Sequence, residues 1–244
     1  MRTPFYLIVI LVAAAGLFMA AGRPLKKKKT ILVFTKTAGY RHASIAEGKT
    51  ALLAMGQAHG FTADTTEDAT VFTDQHLARY DAILFLNTTG NVLDSQQQTA
   101  FENYIRSGKG FVGIHAATDT EYDWPWFARL VGANFESHPK PQTARLLRTA
   151  NPHPATSTLP ASWERFDEWY NFKNINPATI PLLKIDESSY TGGKNGENHT
   201  VSWYHDYEGS RCFYTALGHT PESYSEKLFL EHLWGGIKYA AAIK

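Results

Sequence analysis

Gly108-Lys109-Gly110-Phe111-Val112-Gly113-Ile114-His115-Ala116-Ala117-Thr118-Asp119 is a short apolar run opened by glycines and closed by a histidine. Phe111 to Ile114 is too short for a helix and lacks polar alternation, so it reads as a strand buried on both faces of a parallel sheet. His115 then falls at the strand's carboxyl end, where open α/β sheets gather their ligand-binding loops and helix N-termini. The small Ala116 and Ala117 that follow would let a sharp strand-to-helix turn expose that side chain, as at a nucleophile elbow. Taken alone, a histidine in such a place is more commonly half-buried and satisfied by backbone. The reading as a site rests on other unusual residues that also fall at predicted strand ends.

Working backward, Ile31 to Phe34 is a first buried strand, and Thr35 to His42 the loop at its carboxyl end. A helix is predicted from about Ser44 to His59, with Ser44 and Glu47 spaced as a capping box. Arg41 and His42 in that loop are candidate substrate-binding residues or a solvated surface pair. Phe61 to Thr66 and Tyr80 to Leu86 read as strands, the second ending at Asn87-Thr88-Thr89-Gly90, where Asn87 and Thr88 are further binding candidates. Asp94 to Ser107 is a helix burying Ala100, Phe101, Tyr104 and Ile105, with Gly108 as its stop. The order β-α-β-β-α-β predicts an α/β fold with a doubly wound, mostly parallel sheet.

The 244 residues, 43% hydrophobic and 19% charged, suit one sizeable domain, which we place at residues 30–244. A formal net charge of +1 argues against a nucleic-acid partner bound through counterion release. Arg2 precedes the apolar stretch Phe5 to Met19 and the small residues Ala20-Ala21-Gly22, so residues 1–22 read as a signal peptide and predict export to the periplasm or beyond. Lys26 to Lys29, within a basic linker at 23–29, resist translocation and leave an uncleaved membrane anchor as the alternative. The single cysteine, Cys212, rules out an intrachain disulfide.

Beyond Asp119 the chain changes character. Glu121 to Phe127 suggests a lid or short helix. Gln142 to Arg148 reads as a strand, Glu164 to Phe172 as a segment dense in hydrogen-bonding and aromatic groups, and Tyr190 to Gly196 as a glycine-rich hairpin region. Arg211 to Leu217 is a strand ending at Gly218-His219-Thr220-Pro221-Glu222, and Ser225 to Ala242 the closing helix.

Five ordered pieces resemble the ThuA-like (trehalose utilisation) family: Phe85 to Gly90, Gly110 to His115, Ser137-His138-Pro139, Asp167-Glu168-Trp169-Tyr170, and Tyr214 to Thr220. The resemblance spans about Thr30 to Ala242. It implies a flavodoxin-like fold of the class I glutamine amidotransferase-like type and a link to sugar metabolism, with a small sugar or glycoside as ligand. An amidotransferase of that fold carries a nucleophilic cysteine at the elbow; here the matching residue is His115. Cys212 lies roughly 20 Å from His219 at the usual strand rise, so it cannot replace that thiol. His219 occupies the place of the amidotransferase histidine, and glutaminase chemistry is not expected.

Two histidines at neighbouring strand ends could act as general bases, His115 or His219, with Asp119 or Glu168 orienting them or serving as acid. Trp124, Trp126, Tyr170 and Trp203 would then hold the sugar. Alternatively the histidines belong to a divalent metal site, zinc for example, completed by His138, His199, Glu168 or Asp186. No compact ligand motif is present, and no cofactor is certain. The expected function is a sugar-active hydrolase or lyase; the alternatives are a noncatalytic carbohydrate-binding module and a complex-forming partner of a sugar enzyme.

Overall fold

The computed structural model describes residues 28–244; the predicted signal or anchor and most of the basic linker lie outside the described residues. The chain begins with β1 (Thr30–Phe34), α1 (Ile45–His59), β2 (Thr62–Thr66), the single turn α2 (Asp74–Leu77), β3 (Ala82–Leu86), α3 (Ser95–Arg106) and β4 (Gly110–Ile114). In β3 and β4 every residue is buried, and in β1 all but the first, as continuous apolar runs require when helices cover both faces of a sheet. A 3-10 turn over His115–Asp119 follows, then α4 (Pro125–Val131), β5 (Asn134–Ser137), β6 (Gln142–Arg148), β7 (Ser162–Asp167), β8 (Asn171–Lys173) and β9 (Ile180–Asp186). The chain closes with β10 (Thr200–Tyr207), β11 (Ser210–Thr215) and α5 (Lys227–Ala240).

Nine strands form one sheet in the order β2-β1-β3-β4-β11-β10-β9-β6-β7, and β5 pairs with β8 in a separate ribbon. The pairs from β2 to β11 are parallel and those from β11 to β7 antiparallel. The sheet is therefore mixed, which corrects the expectation of a mostly parallel one. The doubly wound order applies to the half before Asp119, where helices return the chain. In the second half β10 and β11 are joined by a tight turn through Glu208 and Gly209, both at positive φ, and a hairpin can only pair antiparallel.

Three local expectations also change. Ser44 does not cap α1, because its hydroxyl donates to the Gly218 carbonyl at 3.1 Å and accepts from Asn87 Nδ2 at 2.9 Å. The reciprocal capping box stands instead at α3, where Asp94 accepts from the backbone of Gln96 and Gln97, and Gln97 accepts from the Asp94 amide. Glu164 to Phe172 is two strands separated by Glu168-Trp169-Tyr170 rather than one, and Tyr190 to Gly196 is irregular chain rather than a hairpin. α5 lies close on β11: a Cβ at Gly236 would stand 2.2 Å from the Phe213 ring, so only glycine permits that approach. Among the described residues no helix is long and apolar enough to cross a membrane.

Candidate functional site

The side chains that converge come from the carboxyl ends of β1, β4, β7 and β11. At the end of β4, His115 takes φ of 46°, the left-handed region that non-glycine residues seldom occupy. Gly113 and Ala117 make room for the turn: a Cβ on Gly113 would already lie 3.2 Å from the Ala117 Cβ and 3.0 Å from the Tyr214 ring. Backbone and side chain of His115 are both held. Its carbonyl accepts from Tyr214 Oη at 2.7 Å, and its Nδ1 donates to the Ala216 carbonyl at 2.7 Å, since a carbonyl can only accept. The tautomer is thereby set, with Nε2 as the free lone pair when the ring is neutral.

At the end of β11, the amides of Gly218 and His219 donate to the two oxygens of Asp167, at 3.0 and 3.2 Å. Asp167 is fully buried and paired at 3.0 Å with the buried guanidinium of Arg165, whose charge offsets the cost of enclosing the carboxylate. Although β7 is an edge of the sheet, this clamp folds its end back over the ends of β4 and β11. Glu168, the next residue, is thus delivered between the histidines. Its Oε2 lies 3.4 Å from His115 Nε2 and 3.1 Å from His219 Nδ1, which are themselves 3.3 Å apart; its Oε1 lies 3.0 Å from His138 Nδ1. His42, from the loop after β1, presents its ring edge-on to His115 and His219 at centroid distances of 4.9 and 5.2 Å. Its Nδ1 is buried without a hydrogen-bond partner.

His42, His115, Glu168 and His219 each offer a ligand atom, and the four atoms lie within 4.8 Å of one another. This cluster could coordinate a divalent metal. Burial, and then the charges of His115 and His219, push His42 down to about 3, so its imidazole is neutral and free to ligate. Burial works to raise Glu168, but the hydrogen bonds and charges of His115 and His219 outweigh it and hold the carboxyl well below the usual range. Burial lowers His219, while the hydrogen bond and charge of Glu168 act the other way and leave it raised. Asp119, at the end of the 3-10 turn, is raised by burial, against the Tyr122 hydroxyl that donates to it and the charges of His115 and His138.

Of the residues singled out in the sequence, the structure therefore brings together His115, His219, Glu168 and His42, the last as a cluster member rather than a surface substrate contact. His138 stands outside the four, half-exposed, its Nδ1 shared between Glu168 and the Pro139 carbonyl at 2.9 Å. Tyr170 is buried with its ring 4.2 Å from that of His115 and serves as a floor.

The others lie elsewhere. His199 is enclosed between the Tyr170 carbonyl at 2.8 Å and Glu187 at 2.7 Å, which consumes both ring nitrogens, and Asp186 pairs with Arg145. Arg41 is exposed and bidentate with Glu67. Asn87 and Thr88 are buried, bonded to Ser44 and Thr120. Trp126 and Trp203 are core residues whose indole N–H groups reach Glu208 and the Val131 carbonyl, and half-buried Trp124 stacks on Trp126 at 4.9 Å. No tryptophan among these lines the cluster, which corrects the expected aromatic cleft. Sequence reasoning missed Arg165, Asp167 and Tyr214, whose roles are long-range; the acidic pair Asp167-Glu168 was visible, but nothing local divided clamp from ligand. Cys212 is buried, its thiol pushed up to about 12 by desolvation, and so is not a nucleophile.

The sequence model of one protein family, ThuA, described as trehalose utilisation, matches residues 30–240. No curated protein matches the chain. Among solved structures, a protein described as ThuA-like from Bacteroides uniformis aligns with a TM-score of 0.74 at 24% identity, covering 90% of this chain and 95% of that one. A second, from Parabacteroides merdae, gives 0.74 at 20% identity, covering 89% and 91%. A protein described as a GMP synthase component from Thermoplasma acidophilum gives 0.55 at 12% identity, covering 88% and 95%, which relates the fold to the glutamine amidotransferase type.

Proposed function

The chain belongs to the ThuA, trehalose-utilisation family, and from that premise we propose that it is an exported sugar-active hydrolase or lyase whose His42, His115, Glu168 and His219 hold a divalent cation such as zinc. The observation that carries the reading is the convergence of four ligand atoms within 4.8 Å. Ligands about 2.0 to 2.1 Å from a tetrahedral zinc stand about 3.3 Å apart, and the contacts among His115, Glu168 and His219 are 3.1 to 3.4 Å. The Ala216 carbonyl on His115 Nδ1 is the kind of outer hydrogen bond that fixes a ligating tautomer. A bound cation would supply Lewis acidity to a substrate oxygen. The chain's own contribution is to hold the His42 imidazole neutral and the Glu168 carboxylate ionised, and to keep Asp119 beside them with a raised affinity for a proton.

The expectation of a noncatalytic sugar-binding module leaned on Trp124, Trp126 and Trp203, and those rings pack away from the cluster. The reading of an exported protein rests on the apolar N-terminus; sequencing the mature protein should find a start near Arg23. The test of function is metal analysis of the purified protein, followed by turnover of oxidised and unoxidised disaccharides with and without chelator. About one cation per chain and chelator-sensitive turnover are expected. Cation-free protein with full turnover would reject the metal, and no turnover on any sugar would reject the enzyme.

A further inference from the structure

The strand β5 leads from the cluster to a second feature. Its last residue, Ser137, precedes His138 on Glu168; its first, Asn134, lines a cleft of about 390 Å3, whose walls include Tyr122, Pro125, Arg129, Asn174 and Ile175. At a rise of about 3.3 Å per residue the two ends of β5 are separated by about 10 Å. Tyr122 joins the two places directly, since its ring lines the cleft while its hydroxyl donates to Asp119.

Asn134 is only 6% exposed. Its Oδ1 accepts from Asn174 Nδ2 at 3.2 Å, and its own Nδ2 has no protein partner yet is not sealed from open space. Exchanging oxygen and nitrogen in both amides keeps that bond and still leaves one donor and one acceptor free. Asn174 is held at φ of 54°. Arg129 spends Nε on Tyr207 Oη at 3.0 Å, and its two terminal nitrogens make no ion pair or hydrogen bond among the described residues. Tyr122 and Ile175, 43% and 44% exposed, supply apolar surface beside these polar groups. A sugar ring presents that combination in reverse: adjacent hydroxyls that both donate and accept, and a face of C–H groups that packs on apolar surface.

We propose that this cleft binds a neutral pyranose ring of the substrate, the one not undergoing reaction, so that a disaccharide spans from Asn134 and Asn174 to the His42, His115, Glu168 and His219 cluster. The proposal rests on the sugar-active reading above. It gives the site the ring-recognising surface that the buried tryptophans do not provide, from planar amides and one tyrosine.

Calorimetric titration with trehalose, maltose and lactose tests it on the full mature protein and on Asn174→Gly and Arg129→Ala. Glycine tolerates the positive φ at 174, so the first variant removes the amide and keeps the backbone. Each lost hydrogen bond is expected to weaken disaccharide binding about tenfold, with the melting temperature and zinc uptake unchanged. Undiminished binding in both variants would overturn the cleft and leave the cluster reading standing. Failure of the unaltered protein to bind any of the three sugars would overturn both, and zinc uptake would still report on the cluster separately.

Discussion

His115 is held in a conformation that costs an ordinary residue roughly 1–2 kcal/mol, and the bonds from Tyr214 and to Ala216 keep it there. Asparagine tolerates left-handed backbone and a β-branched residue does not. His115→Asn is therefore expected to be more stable than His115→Val by about 1–2 kcal/mol in urea titrations, while both lose cation binding. His232 offers a pH test away from the cluster. It is fully buried, its Nδ1 donating to the Ala155 carbonyl at 2.8 Å, and desolvation lowers it to about 4. Between pH 6.5 and 4 the unfolded chain takes up a proton there that the folded chain refuses. Stability should fall as pH drops through that window, by about 3 kcal/mol from this group, and His232→Gln should flatten the dependence in denaturation series. At this scale His115 and His219 were legible because they end apolar strands. The tryptophans were not: an indole that finds a carbonyl in the core, as Trp203 finds Val131, has the same sequence surroundings as one lining a cleft.

Helix ends show how a local motif is overruled by a distant partner. Ser44 and Glu47 have the spacing of a capping box, but the Ser44 hydroxyl ties Asn87 to the Gly218 carbonyl across the sheet end. Asp94→Ala should cost about 1 kcal/mol, the usual value of a lost N-cap. Ser44→Ala should cost about 1–3 kcal/mol because it removes a partner from the buried Asn87 amide. A double-mutant cycle with Asn87→Ala distinguishes the two explanations, and the combined loss should be smaller than the sum. At the contact of α5 with β11, Gly236→Ala should cost about 3 kcal/mol or more, since the Phe213 ring cannot move out of a close-packed core without opening a cavity.

Across the molecule, the boundaries of β1, β3 and β4 were readable because full burial leaves an unbroken apolar run. The pairing of the second half was not: β6 and β7 expose alternate residues, which marks them as strands without saying which neighbour each takes. The site depends on that unread part. Glu168 reaches the histidines only after the antiparallel half has folded back and Asp167 has met the Gly218 and His219 amides. Its partners are remote along the chain, His115 and His219 being 104 residues apart. Such contacts are slow to form, and a clamp that depends on both halves is absent from an early nucleus. A cation bound there should hold the native state shut rather than hasten its arrival. In stopped-flow chevrons, saturating zinc is expected to slow the unfolding limb and leave the refolding limb where it was.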